Sequence, residues 1–191
     1  MRYSAAHKAE TRGTLLKLTA SLAKRKGFSA SGVDALAQAA GLTSGAFYNH
    51  FASKSELFTA LIAQELEHSI DMCADDKSAH PDDEWMLRQV RRYLTWKHVQ
   101  SPETGCVIPS LGAEVARADR QTKKACEVAM QRVHSIWAHK LGDEEMAWAA
   151  MSQMVGTIML SRMMATERAG KEVLHGSRKF LEKLLGDRAP K

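Results

Sequence analysis

Apolar positions recur at three- and four-residue spacing along almost all of the 191 residues, and strand-like alternation is missing. Leu15, Leu16, Leu18, Leu22 and Ala23 predict one stripe of a first helix over residues 8–26, stopped by Gly27. Ser31, with Asp34 three residues later, resembles a capping box that opens a short helix from 33 to about 40. Gly41 closes it, because glycine tolerates the left-handed conformation of a tight turn. Thr43 is a natural N-cap for a third helix through about residue 51. Ser53-Lys54-Ser55-Glu56 is a complete capping box for a fourth, reaching about residue 73. Residues 74–83 (ADDKSAHPDD) read as a loop, and the tail from 186 onwards as frayed. Further helices are predicted near 83–100, 107–117, 120–141, 144–167 and 171–185, with Pro102, Gly105, Gly142 and Gly170 as breaks. The expectation is an all-α protein of about nine helices.

Charge changes this picture. Residues 1–58 hold eight basic and three acidic side chains, whereas 59–191 hold 19 of each, so the whole surplus of +5 lies in the first third. Two different partners follow from that asymmetry. Aromatic residues are 6% and methionines number ten, which suits helical cores. Cys73, Cys106 and Cys126 are odd in number and widely spaced, which argues against a disulfide framework and a structural zinc site. The N-terminus lacks an apolar signal region and no apolar run approaches a membrane span, so a cytoplasmic protein without membrane contact is expected. Eight histidines are present, yet there is no HExxH, GxSxG, P-loop or GxGxxG, so neither an enzyme nor a cofactor is expected.

The segment VDALAQAAGLTSGAFYNHFASKSELF carries the strongest signal. Two short helices joined by a glycine turn and followed by a long helix make a helix-turn-helix pattern. Its second helix presents Thr43, Ser44, Tyr48, Asn49 and His50, all hydrogen-bonding groups, while Phe47 and Phe51 share the inward face. So polar a short helix makes sense if it enters a DNA major groove. Gly45 and Ala46 are small enough to let its backbone approach the duplex.

Ala40, Gly41, Leu42, Thr43, Ser44, Gly45, Ala46, Phe47, Tyr48, Asn49, His50 and Phe51, then Ser53, Lys54 and Leu57, resemble the DNA-binding domain of the TetR/AcrR family of bacterial regulators. Phe28 after Gly27 and Thr11-Arg12 ahead of Leu15-Leu16 fit as well, so the likeness spans about residues 8–60. Where the family often has Thr or Ser just before its second helix, this chain has Gly32 behind Ser31. The resemblance implies a DNA-binding domain over 1–52, a ligand-binding and dimerisation domain over 53–191, and a repressor released from a palindromic operator in double-stranded DNA by a small-molecule inducer. Thr43, Ser44, Ala46 and Asn49 are the candidates for base edges; Ser31, Tyr48, His50 and Lys54 are those for phosphate. By the same likeness the last two helices would form a four-helix bundle with those of a second copy, giving a homodimer.

The remainder offers weaker signals. Tyr93, Trp96, Met130, His134 and Trp137 are candidate walls of a ligand pocket, the last three sharing one helix face. Six methionines between 146 and 164 read as adaptable filler or as a pocket that re-packs around apolar ligands. Cys106 is placed at a helix start, where a thiol gains thiolate character, and Gly105-Cys106 looks similar to a TetR subgroup with NemR-like C-terminal domains. A buried packing role for Cys106 is the plainer alternative. The rival to a ligand- or thiol-responsive repressor is a helical dimeric interaction module whose helix-turn-helix no longer reads DNA.

Overall fold

The structure is a computed structural model that describes residues 5–74 and 82–186. The predicted 74–83 loop and the tail beyond 186 lie almost wholly outside the described residues. Among those described there are ten α-helices, one 3-10 turn and no strand: α1 (Ala5–Lys26), α2 (Val33–Ala39), α3 (Ser44–Tyr48), α4 (Lys54–Ala74), α5 (Asp82–Tyr93), α6 (Trp96–Gln100), the turn Pro102–Thr104, α7 (Ile108–Arg117), α8 (Arg120–Leu141), α9 (Glu144–Met163) and α10 (Glu167–Gly186). The extra helix arises because the predicted 83–100 helix is cut at Thr95. Its hydroxyl accepts from the His98 N–H at 3.1 Å and caps α6 afresh.

The helices fall into two compact units. One comprises the described residues up to Glu67 with Pro102–Val128, the other His68–Ser101 with the described residues from Ala129 on.

In the first unit α1 buries Leu15, Leu16, Ala20 and Ala23. Leu18, expected in that stripe, is 41% exposed, because at 100° per residue it points away from the 15/16/19/23 face. Thr19 takes its place inside, its hydroxyl donating to the Leu15 carbonyl at 2.7 Å. Gly27, at φ +85°, turns the chain so that Phe28 stacks on Phe58 of α4, with ring centroids 4.4 Å apart. Lys24, one of the eight basic residues of the first third, is buried. Its ammonium donates to Glu65 Oε2 at 2.6 Å and to the Gly105 carbonyl at 3.0 Å.

In the second unit α9 and α10 pack as a pair through Leu174, Leu181, Ile158 and Met154. A small polar core joins them, with the Gln153 amide donating to Ser177 Oγ at 3.0 Å and the Thr157 and Ser177 hydroxyls 2.6 Å apart. The predicted break at Gly170 does not occur. The helices part earlier, where Met164 is extended and the Thr166 hydroxyl accepts from the Ala169 N–H at 3.2 Å. Gly170 lies inside α10 for a different reason: a Cβ there would come within 2.9 Å of the Ser161 carbonyl and 3.0 Å of the Trp96 ring. Nearby, the Arg162 guanidinium donates to the His98 and Val99 carbonyls, which ties the end of α6 to α9.

Candidate nucleic-acid interface

The turn between α2 and α3 follows from Gly41. At φ +70° it lets the Gly41 and Leu42 N–H groups return to the carbonyls of Gln38 and Ala37, both at 2.9 Å. Thr43 then caps α3 as expected, accepting from the Ala46 N–H at 3.2 Å. Upstream the expectation fails. Gly32, not Ser31, is the N-cap of α2 and provides no side-chain cap. Ser31 is buried, and its hydroxyl donates to the Gly27 carbonyl at 2.9 Å, which closes the α1–α2 turn. At the start of α4 the box forms with a one-residue offset. Ser53 Oγ accepts from the Glu56 N–H at 3.0 Å, while the Glu56 carboxylate reaches the Ala52 N–H at 2.8 Å.

These elements hold α3 by its two phenylalanines. Phe47 and Phe51 are inside with ring centroids 5.8 Å apart, so the opposite face must look outward. Thr43, Gly45, Tyr48 and Asn49 are exposed there, Tyr48 at 53%. Ser44, Ala46 and His50 are half-buried at its flanks. Ser44 donates to the Asp34 carboxylate and so braces α3 against α2. Sequence reasoning gave Arg12 no such role, yet its guanidinium donates to the His50 carbonyl, lies 3.9 Å above the Phe51 ring and sits 3.7 Å from Glu56. Lys54 reaches the Ser29 carbonyl at 3.2 Å across the Phe28 ring.

Glu114 of α7 was also missed, and no local pattern marks it, since its partners lie more than eighty residues away. Its carboxylate accepts from the backbone N–H groups of Phe28 at 2.8 Å and Ser29 at 2.6 Å, and from the Ser29 hydroxyl. Partial burial alone would raise its pKa. The Ser29 hydroxyl, the two amides and the Arg117 charge outweigh that and hold the carboxyl below its usual range. A depressed carboxylate contributes stability above its unfolded pKa and loses it as pH falls through the folded one. Acidification below about pH 4.3 should therefore destabilise the protein partly through this group. Glu114→Gln is expected to melt lower at neutral pH and to show a smaller drop in Tm on acidification; an unchanged drop would remove Glu114 from the account.

The ligand candidates are dispersed. Tyr93, Trp96, Met130, His134 and Trp137 belong to the second unit and Cys106 to the first. Trp137 is buried edge-on to Trp85 at 5.3 Å. His134, half-buried, stacks on the exposed Trp148 at 4.3 Å, with Nε2 2.9 Å from the Glu144 carbonyl. The two rings contact different helices, Trp137 meeting α5 and His134 meeting α9. Tyr93 meets the His98 ring edge-on at 4.5 Å, and Trp96 lies beneath the Lys171 ammonium at 5.4 Å. Cys106 precedes Val107, the N-cap of α7, and so stands just outside the helix start. Burial pushes the Cys126 thiol up, and the neighbouring Cys106 adds to that.

A short helix anchored by two aromatic rings, capped at its N-terminus and turned polar side out defines a helix-turn-helix DNA-binding domain. Residues 15–61 match the family model described as bacterial regulatory proteins, tetR family, so this segment is a TetR-family N-terminal domain. Solved structures extend the likeness of fold to the rest of the chain. Reduced NemR from E. coli is 17% identical, with a TM-score of 0.79, over 91% of this chain and 96% of that one. A TetR-family regulator from Agrobacterium tumefaciens is 15% identical, with a TM-score of 0.78, over 92% and 98%. FadR from Bacillus subtilis, solved with stearoyl-CoA, is 14% identical, with a TM-score of 0.64, over 91% and 96%. The chain thus has the all-α fold of TetR-family transcriptional regulators. Among the described residues, no helix is long and apolar enough to cross a membrane.

Proposed function

We propose that the protein is a ligand- or thiol-responsive transcriptional repressor of the bacterial cytoplasm that binds a palindromic operator as a homodimer. The outward face of α3 carries this reading. Thr43, Gly45, Tyr48 and Asn49 offer hydrogen bonds and close approach without a single charge, which suits the reading of base edges in a major groove. Thr43, Ser44, Ala46 and Asn49 read bases; Tyr48, His50 and Lys54 hold phosphates. Ser31 supports the turn from within, and the exposed Arg25 and Lys26 supply attraction without sequence reading. Asn49→Ala should change preference at one base pair, whereas Tyr48→Ala should weaken all sequences alike, as competition binding with single-base operator variants measures.

Residues 1–52 are the reading half in this proposal, and 53–191 the sensing and pairing half. Support for pairing lies on α9, which exposes Trp148, Ala149, Ser152, Met159, Leu160 and Met163. Between 148 and 163 the only charge is Arg162, whose guanidinium is turned onto the α6 carbonyls. A long uncharged stripe of this kind marks an association surface. Two such copies would present two recognition helices to half-sites about one helical turn, or a multiple of it, apart. Leu160→Glu with Met163→Glu is expected to yield a monomer by light scattering and to lose tight operator binding; a dimer of unchanged mass would refute this face.

The inducer is taken to lie among the aromatic and methionine side chains of the second unit, around Tyr93, Trp96, Met130, His134 and Trp137. The stearoyl-CoA bound to FadR supports an apolar ligand for this fold. Cys106 offers a thiol route to the same release. Either signal acts by differential affinity for two states of the dimer, moving α4 and spoiling half-site spacing.

A further inference from the structure

The corner between α7 and α8 is crowded with exposed cations. A helix N-terminus carries the positive end of the backbone dipole and favours acidic residues in its first turn. At α8 that preference is met by Asp119, whose carboxylate accepts from the Thr122 N–H, while Arg120 opens the helix, Lys123 and Lys124 follow and Arg117 ends α7 just before. Arg117, Arg120, Lys123 and Lys124 are all exposed. Lys124 pairs with Glu127 at 3.0 Å, but no carboxylate pairs with Arg120 or Lys123 among the described residues.

The carboxylates of this corner are taken up by hydrogen bonds. Glu114 is spent on the Phe28 and Ser29 amides. Asp119 accepts from the Ser55 hydroxyl of α4 and, at 2.8 Å, from the Thr122 N–H of its own helix. The Thr59 and Thr122 hydroxyls, 2.7 Å apart, repeat the contact one turn on. These bonds place the α8 start beside the α4 start, next to Lys54, and they leave a surface of cations. The same compact unit carries the polar face of α3 and the exposed Arg25 and Lys26.

We propose that Arg117, Arg120 and Lys123 form an accessory phosphate-binding surface that grips the DNA backbone flanking the base pairs read by α3. The inference rests on the DNA-binding reading above and extends the footprint to a part of the chain outside the helix-turn-helix. Its contacts are electrostatic, so they add affinity and salt dependence without sequence preference.

The test compares the full-length protein with the triple variant Arg117→Gln, Arg120→Gln, Lys123→Gln. Binding is measured by fluorescence anisotropy over a salt series on a duplex selected from a random pool. The duplex is used with long flanks and also trimmed to the half-sites. On the long duplex each lost phosphate contact should reduce the salt slope by about 0.9, and affinity should fall about tenfold near physiological salt. On the trimmed duplex the two proteins should converge, with the preferred sequence unchanged. The Tm of the variant should equal or exceed that of the parent, since unfavourable charges at a helix N-terminus are gone. An unchanged slope on the long duplex would overturn the proposal, as would a loss equally large on the trimmed one. If the parent binds selected and random duplexes alike, the operator reading fails instead, and a slope that still drops in the variant would uphold the surface as a general DNA-binding one.

Discussion

Phe47→Ala should destabilise the protein by about 3–5 kcal/mol, the usual cost of deleting a fully buried phenylalanine ring. The reason lies in the brevity of α3, whose five residues are too few to be helical by propensity. What holds it is the Phe47 ring, 0% exposed, against Phe51, with Tyr48 edge-on at 5.3 Å. Without that anchor the Thr43 cap and the Ser44–Asp34 bond have no platform. The natural control sits next door. Tyr48→Ala removes an exposed ring and should shift stability by less than about 0.5 kcal/mol while weakening DNA binding. Chemical denaturation followed by circular dichroism measures both. A Phe47→Ala variant as stable as the parent would mean that α3 is held by something other than its aromatic pair.

Glu65→Ala should cost about 3–5 kcal/mol, more than an ordinary ion pair would suggest. Lys24 and Glu65 have side chains only 5% and 20% exposed, so removing the carboxylate strands a buried ammonium on the Gly105 carbonyl alone. The penalty belongs chiefly to the orphaned charge. Adding Lys24→Met to Glu65→Ala should therefore restore most of the lost stability, because a buried pair replaced by apolar groups is often neutral. Denaturant midpoints of the two single variants and the double variant would show this. Equal, additive losses would indicate that Lys24 is solvated and that the pair is no more than a surface contact.

Much of the fold could be read from the chain because its determinants are local. The helix periodicity, the Thr43 cap, the Ser53 box and the three positive-φ glycines at 27, 41 and 142 act within a turn of their own position. Gly170 shows the limit. Its signal as a breaker is the same as that of Gly142, yet it is there to let Ser161 and Trp96 approach, a fact that only packing reveals. Thr95 gave no warning either, since a lone threonine becomes a cap only when its hydroxyl is turned to the chain.

The candidate interface divides in the same way. Phe47, Phe51, Tyr48 and Asn49 take the sides their spacing dictates. The burial of Lys24 could not be read locally, because its partners are Glu65 and Gly105, 41 and 81 residues further on. Glu114, which fastens α7 to the turn after α1, was invisible for the same reason, as was the Ser55 bond by which Asp119 fastens α8 to α4. Charge balance over a long segment concealed this as well, because a count of charges does not show which carboxylates are taken up by hydrogen bonds.

In the proposed function the outward face of α3 reads a specific DNA sequence. Equilibrium binding to a duplex selected from a random pool, against a scrambled duplex of the same composition, measures it most directly. At about 150 mM salt the selected palindrome should bind at least about a thousandfold more tightly, one dimer per site, and Asn49→Ala should alter which base is preferred. Equal affinity for both duplexes at every salt concentration would contradict the claim and leave a helical interaction module in its place.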